Sequence, residues 1–241
     1  MHDSSRQTPI LFLDFDGTIS ARDAIDAILE EFAEPRWLMI EEEWRAGRIG
    51  SRECLSEQMA LVRATPAELN ALLDTIKVDR GFAPLLEACA GLRVPVHVVS
   101  DGFDYCIRRI LRSAGSRVAR ALDDVRIFSS RLKPEGNRWR VEFPYFAEGC
   151  AHGCATCKPE VMRCLNRAGT QAVFVGDGLS DRYAAESADI VFAKGKLADY
   201  CRTHGDAHIA YEDLGKVATY LESLLAAGAG DAGEAAEPVE A

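Results

Sequence analysis

Residues 10–13, Ile-Leu-Phe-Leu, form an unbroken apolar run that stops at Asp14-Phe-Asp16-Gly17-Thr18. A short continuous run bounded by turn residues reads as a strand buried on both faces, as a parallel sheet requires. The signature recurs at Val94–Val99, running into Ser100-Asp101-Gly102, and at Ala172–Val175, running into Gly176-Asp177-Gly178-Leu-Ser-Asp181. A further strand is expected at Asp189–Phe192, and helices at Pro84–Ala90, Phe103–Ala114 and Ser180–Glu186. Arg126–Ser130 and Arg138–Phe143 flank Lys133-Pro-Glu-Gly-Asn137, which reads as a hairpin with a Pro/Gly turn. This alternation predicts an α/β fold with a doubly wound parallel sheet.

Between residues 20 and 80 no strand pattern occurs. Ser20 or Asp23 can cap a helix running to about Ala33, which Pro35 ends. Arg36–Ala46 carries Trp37, Ile40, Glu41 and Trp44 at helical spacing, with Trp37 and Trp44 on one face. Ser51 opens a third helix, and Thr65-Pro66-Ala67-Glu68 is a capping box with proline in the first turn. The simplest organisation is a core of residues 8–20 and 81–225, a small helical cap of residues 21–80 inserted after the first strand, and a disordered acidic tail over 226–241. Such a cap can exclude water and position substrate, with Asp23, Trp37, Trp44, Arg52 and Gln58 facing the site.

Composition narrows the function classes. The chain has 28 basic against 38 acidic residues, a net charge of −10 that argues against a nucleic-acid partner. No apolar stretch approaches the ~18 residues of a membrane span, and residues 1–9 contain no apolar signal segment, so a cytoplasmic protein is expected. Of the eight cysteines, Cys54, Cys89, Cys106, Cys164 and Cys201 fall in helix or core patterns and are expected to be buried thiols.

The strand ends concentrate the candidate chemistry. Asp14 and Asp16 would face opposite sides of an ideal strand, so the chain must turn there, as Gly17 permits. One carboxylate can then attack phosphorus while the other handles a proton. Ser100 can offer a hydroxyl to phosphoryl oxygens, or can simply cap the helix that follows. Lys158 precedes Pro159 at an expected helix start, in a chain with 22 arginines and six lysines; its compact ammonium suits a carboxylate and a phosphoryl group together. Asp177 and Asp181 suit Mg²⁺, although a solvated acidic turn would look the same. Cys150-Ala-His152-Gly-Cys154-Ala-Thr-Cys157 stands directly before Lys158. It could ligate zinc, form a reversible disulfide or, the simplest reading, hold packed free thiols.

In this order, DFDGT, Ser100, Lys158 and GDGLSD resemble the motifs of the haloacid dehalogenase-like superfamily. The resemblance implies a Mg²⁺-dependent phosphatase acting on a small phosphorylated metabolite, on a Rossmann-like core. Asp14 would be the nucleophile, and Asp16 the acid for the leaving oxygen and then the base for water. Ser100 and the backbone amides of Asp101 and Gly102 would bind the phosphoryl oxygens, and Lys158 would pair with Asp14. Magnesium would be held by Asp14, the Asp16 carbonyl, Asp177 and, more indirectly, Asp181. The helical insertion narrows the likeness to the phosphoserine phosphatase-like branch. Within it, Glu31–Trp37, Pro144-Tyr145 and the cysteine cluster resemble the methionine-salvage enol-phosphate phosphatases, over about residues 8–222.

Phosphoserine phosphatases hold the amino acid with a glutamate and an arginine, where this chain has Asp23 and Gln58. A neutral amide cannot replace a bidentate guanidinium against a carboxylate, which makes phosphoserine the second choice of substrate. Asp101 also departs from the glycine of relatives, and its carboxylate would repel phosphate unless it points away. Three other classes remain in view: a silent phosphate-binding or regulatory protein of this fold, a receiver-like phosphoacceptor domain and a zinc-knuckle binder. Asp16 and the insertion favour turnover over stable phosphorylation.

Overall fold

Alternate residues of the first strand, β1 (Thr8–Leu13), enter two different cores: Leu11 and Leu13 join one cluster of buried side chains, Ile10 and Phe12 the other. The unbroken apolar run is thus the signature of a central strand covered on both sides. The computed structural model describes residues 8–166 and 170–230. Its other strands are β2 (Val96–Phe103), β3 (Arg126–Glu135), β4 (Arg138–Glu142), β5 (Thr170–Gly176), β6 (Ile190–Ala193) and β7 (Ile209–Ala210). They form one sheet of order β4-β3-β2-β1-β5-β6-β7, parallel except for β4. β2 and β5 pair with β1 on opposite sides, so the carboxyl ends of β1, β2 and β5 meet at the switch point where open α/β sheets bind ligands.

Four helices separate β1 from the rest of the core: α1 (Ala24–Phe32), α2 (Trp37–Arg45), α3 (Ser51–Ala60) and α4 (Pro66–Leu73). The Asp23 carboxylate accepts from Ile25 and Asp26 N–H to start α1, and Thr65 and Glu68 form the expected capping box of α4. One face of the sheet is covered by α5 (Phe82–Leu92), α6 (Asp104–Ser113), α7 (Ser116–Ala121) and α11 (Leu214–Gly230). The other is covered by α8 (Lys158–Leu165), α9 (Arg182–Ala185) and α10 (Gly195–His204). Nothing in the periodicity had distinguished α7, α10, β7 or α11 as separate elements.

Several boundaries differ from expectation for identifiable reasons. β2 continues through Ser100, Asp101 and Gly102, where a helix cap at Ser100 was one reading; α6 starts at Asp104 without a side-chain cap. The hairpin turn is tighter than expected, because Pro134 and Glu135 still pair with Trp139 and Arg138, in the part of β3 beyond its pairing with β2, where one side is open and proline is tolerated. α11 runs to Gly230, into the stretch read as a tail, since Ala226, Ala227 and Ala229 favour helix; residues 231–241 lie outside the described ones. Cys54, Cys89, Cys106 and Cys201 are buried, but Cys164 is exposed. It stands off the α8 stripe of Lys158, Val161 and Met162, where Sγ meets Glu160.

Candidate active site

Three strand ends converge on one cavity of about 590 Å³, lined by Asp14, Asp16, Ser100, Gly102 and Asp177 on the sheet side. Beyond β1 the backbone bends at once: Ile19 and Ser20 N–H both donate to the Phe15 carbonyl at 2.9 Å, and Gly17 takes φ +75°. This turn brings Asp14 and Asp16 to the same cavity despite their alternate positions. A Cβ at Gly17 would lie 2.2 Å from Asp177 Oδ2, so the glycine serves both the turn and the close approach.

β2 contributes through an irregularity. Between the pairs Val99↔Phe128 and Phe103↔Ser130 it takes four steps where β3 takes two, so Ser100–Gly102 leaves the ladder beside the cavity. Ser100 Oγ accepts from Gly102 N–H at 2.9 Å, and a Cβ on Gly102 would meet Asp16 Oδ2 at 2.4 Å.

Lys158 is 2% exposed, with Nζ 2.6 Å from Asp14 Oδ1 and 2.5 Å from Asp181 Oδ1. Asp181 Oδ2 accepts from Asp177 and Gly178 N–H, both at 3.0 Å, which locks the loop after β5 to the lysine. Thr18 Oγ1 donates to Asp177 Oδ1 at 2.8 Å. Burial works against the Lys158 charge, but Asp14, Asp181 and Asp101 more than reverse it, and the ammonium stays protonated. Burial and then Asp181 raise the Asp14 carboxyl, with Lys158 opposing. Burial and then Asp23 raise Asp16, against the Ala24 N–H that donates to its Oδ1 at 2.8 Å. Asp177 is pushed up to about 6 by burial and Asp181.

Four carboxylates around one ammonium leave a surplus of negative charge. Asp14, Asp177 and Asp181 each place an oxygen within 4.8 Å of the others, a hard-donor set that fits Mg²⁺. Asp16 is outside that set, and both Asp181 oxygens are already engaged by Lys158 and by backbone N–H groups.

The helical insertion supplies the opposite wall: Asp23, Ile25 and Asp26 from α1, Glu41 and Trp44 from α2, and Ser51, Cys54, Leu55 and Gln58 from α3. Gln58 is 2% exposed and donates through Nε2 to Glu41 Oε2 at 3.1 Å, while Arg45 Nε holds Glu41 Oε1 at 2.9 Å. Asp23 is pushed up to about 6 by burial and the neighbouring Asp26, against its two cap N–H bonds. Asp101 also lines the cavity, but its Oδ1 accepts from Thr156 N–H at 2.8 Å and its carboxylate bonds the Ser51 side chain. The extra carboxylate therefore joins the cysteine loop to α3.

Not every expected residue arrives. Trp37 packs against the core instead of lining the cavity, because two helical turns separate it from Trp44. Arg52 lies over the Phe146 ring, 4.8 Å from its centre. His152 stacks on Tyr183 at 3.6 Å, and the cysteine loop is not among the groups with metal-site spacing in the described residues. Sequence reasoning passed over Thr18, and also Lys194 and Lys196, which line the cavity after β6. The scarcity of lysines that singled out Lys158 applies equally to those two.

The family model for haloacid dehalogenase-like hydrolases matches residues 11–186, spanning all of these strand ends. The chain belongs to the haloacid dehalogenase-like hydrolase family. It is 26% identical over 221 residues to the 2-hydroxy-3-keto-5-methylthiopentenyl-1-phosphate phosphatase of Bacillus velezensis, covering 90% of this chain and 92% of the relative. Identity to the protein of the same name from Geobacillus kaustophilus is 29%, covering 89% and 96%. Among solved structures, a phospho-aspartyl intermediate analogue of a phosphoserine phosphatase superposes with TM-score 0.67 at 21% identity, covering 89% of this chain and 99% of that one. A substrate-bound phosphoserine phosphatase gives TM-score 0.67 at 22% identity, with the same coverage. These solved structures share the fold.

Proposed function

We propose that this chain is a Mg²⁺-dependent phosphomonoesterase whose substrate is a small phosphate ester with an uncharged, partly apolar leaving group, of the kind named for its methionine-salvage relatives. The observation that carries the chemistry is the buried ion pair of Lys158 with Asp14, at the carboxyl end of the central strand. With Oδ1 held by Lys158, Asp14 attacks phosphorus through Oδ2; the Oδ2–P bond forms as the ester P–O bond breaks. Asp16, whose burial favours the protonated form, gives its proton to the departing oxygen. In the second half Asp16 takes a proton from water, which attacks phosphorus, releases inorganic phosphate and frees Asp14. Ser100 Oγ–H, its oxygen fixed by the Gly102 N–H, orients the phosphoryl oxygens, and Lys158 stabilises their charge. Asp14, Asp177 and the Asp16 carbonyl would hold Mg²⁺, with Asp181 fixing the loop behind them; the ion supplies charge neutralisation at the transferring phosphoryl group.

The cap wall supports the substrate class. Asp23, Asp26, Glu41 and the Gln58 amide line the helical wall of the cavity without a guanidinium for a carboxylate, while Ile25, Trp44, Cys54 and Leu55 offer apolar contact to a thioether chain. An anionic leaving group would meet repulsion there, and an apolar one gains burial. Phosphate release from a panel that includes the methionine-salvage enol phosphate and phosphoserine, with Mg²⁺ and with chelator, tests the reading. Magnesium-dependent release with preference for the enol phosphate is expected. Preference for phosphoserine would overturn the substrate class, and a folded protein that accumulates stoichiometric acyl-phosphate, or is silent on every ester, would replace the enzyme with a phosphoacceptor or binding protein.

A further inference from the structure

The loop between β4 and α8 holds three thiols that the phosphatase chemistry does not use. Cys150 and Cys154 are half-buried, Cys157 is buried, and all are free. The chain folds back sharply between the first two: Gly153 N–H donates to the Cys150 carbonyl at 3.4 Å, and Gly153 takes φ +60°. Backbone N–H groups of Cys154 and His152, and the thiols of Cys154 and Cys157, are thereby brought within hydrogen-bonding reach of Cys150 Sγ. Cys150 and Cys154 line a cavity of about 410 Å³, walled by Trp44, Arg48 and Tyr183, through which a small molecule can reach both.

The two thiols are unequal. Burial pushes Cys150 up, but the N–H and S–H groups gathered around it outweigh burial and bring the net direction down. Burial and the Asp101 carboxylate hold Cys154 in the protonated form. The rest of the loop is tied to the candidate active site. Arg52 N–H donates to the Gly153 carbonyl at 3.0 Å, Ala155 N–H to Ser51 Oγ at 3.2 Å and Thr156 N–H to Asp101 at 2.8 Å, and Cys157 is followed directly by Lys158.

We propose that Cys150 and Cys154 form a thiol–disulfide exchange site for low-molecular-weight disulfides, with Cys150 attacking, and that the bridge disturbs the loop leading into Lys158. The Cys150 thiolate attacks one sulfur of a disulfide RSSR, forming a Cys150–SR mixed disulfide and expelling RS⁻, which is protonated to RSH. Cys154 then loses its proton and attacks Cys150 Sγ, expelling the second RS⁻. Two protein thiols are oxidised by two electrons in all, and the external disulfide is reduced to two thiols. A bridge requires Cβ atoms about 3.8 Å apart and a fixed S–S torsion, and it imposes that geometry across Gly153, whose carbonyl accepts from Arg52 N–H.

The experiment is titration of the full chain with oxidised glutathione, followed by non-reducing peptide mapping. The expected product is a peptide that has lost two hydrogens across Cys150 and Cys154, formed before exposed Cys164 is glutathionylated. Cys150→Ser should abolish the bridge, whereas Cys164→Ser should leave it unchanged. Modification of Cys164 ahead of Cys150, or a bridge that survives Cys150→Ser, overturns the assignment. The functional half rests on the phosphatase reading and is tested separately. Turnover of p-nitrophenyl phosphate with Mg²⁺ should fall about tenfold on bridging and return with dithiothreitol. A mapped bridge with unchanged turnover would overturn the coupling alone, and a reduced protein without turnover would count against the phosphatase reading and not against the thiol site.

Discussion

The two walls of the cavity are built differently. On the sheet side the side-chain pairs join distant parts of the chain: Lys158 to Asp14 across 144 positions, Thr18 to Asp177 across 159, and Lys158 to Asp181 across 23. These groups sit at the ends of strands buried on both faces, so none can move without disturbing the packed sheet. On the helical side the polar groups satisfy one another locally, Gln58 with Glu41, Glu41 with Arg45, and Asp23 with the first turn of its own helix. Apart from Ala24 N–H on Asp16 and the Ser51 and Arg52 contacts to Asp101 and the cysteine loop, this wall closes its own hydrogen bonds, so its composition can change with little effect on the opposite one. The first region is suited to hold one reaction geometry, the second to discriminate leaving groups.

Substitutions that break this division in order of size begin with Asp14→Asn. It nearly conserves volume and keeps an oxygen toward Lys158 but removes the attacking carboxylate. Turnover should fall on the order of 10³-fold or more, with the circular-dichroism spectrum unchanged. Retained activity would move the chemistry away from β1. Next comes Gly102→Ala. Its Cβ would lie 2.4 Å from Asp16 Oδ2 and 3.0 Å from Ser100 Oγ, so the proton-handling carboxylate must shift. A displacement of this kind costs about 100-fold in kcat with little change in KM. A variant as active as the parent would show that the Asp16 position is not critical.

The helical wall should respond in the other parameter. Trp44→Ala removes a large apolar surface from the leaving-group side and touches none of the strand-end carboxylates. KM for an apolar-tailed ester should rise about tenfold while kcat stays within about twofold. A truncated ester such as p-nitrophenyl phosphate should be less affected than the enol phosphate. If kcat falls for both esters equally, Trp44 acts on the reaction geometry and the two walls are not separable.

The contrast also explains what was legible in the sequence. Strand ends could be read because burial on both faces writes a continuous apolar run, and the carboxylates that interrupt it at Asp14 and Asp177 have no structural reason to be there. Asp16 followed from Gly17, since only a turn at that point brings both acids to one side. The bulge at Ser100–Gly102 was not legible: it arises from a register mismatch with β3, and no local pattern encodes pairing with residues 27 to 29 positions further on. The partners of the Asp101 carboxylate, Thr156 and Ser51, were not legible for the same reason, both being remote in sequence. The helices of the insertion were legible from their caps, Asp23 and Thr65, but which side faces the cavity was not. Trp37 and Trp44 share a stripe, yet the core takes one and the cavity the other.

The smallest expected effect separates stability from chemistry at Asp23. This carboxylate both caps α1 and stands in the cavity wall, where burial and Asp26 raise it from 3.8 to about 6. A carboxyl that is raised on folding binds more protons in the native than in the unfolded state between those values. Its favourable contribution is therefore full below about pH 4 and is lost as pH rises through 6. Asp23→Asn retains a capping oxygen, because asparagine caps as well as aspartate, and removes the buried charge. The difference in unfolding free energy between variant and parent should be near zero at pH 4 and reach about 1 kcal/mol in favour of the variant at pH 7, discounted for the partial exposure of the site. Urea unfolding at a series of pH values between these limits measures it. A variant that is less stable at pH 7 would mean that the charge itself stabilises the helix N-terminus more than its burial costs.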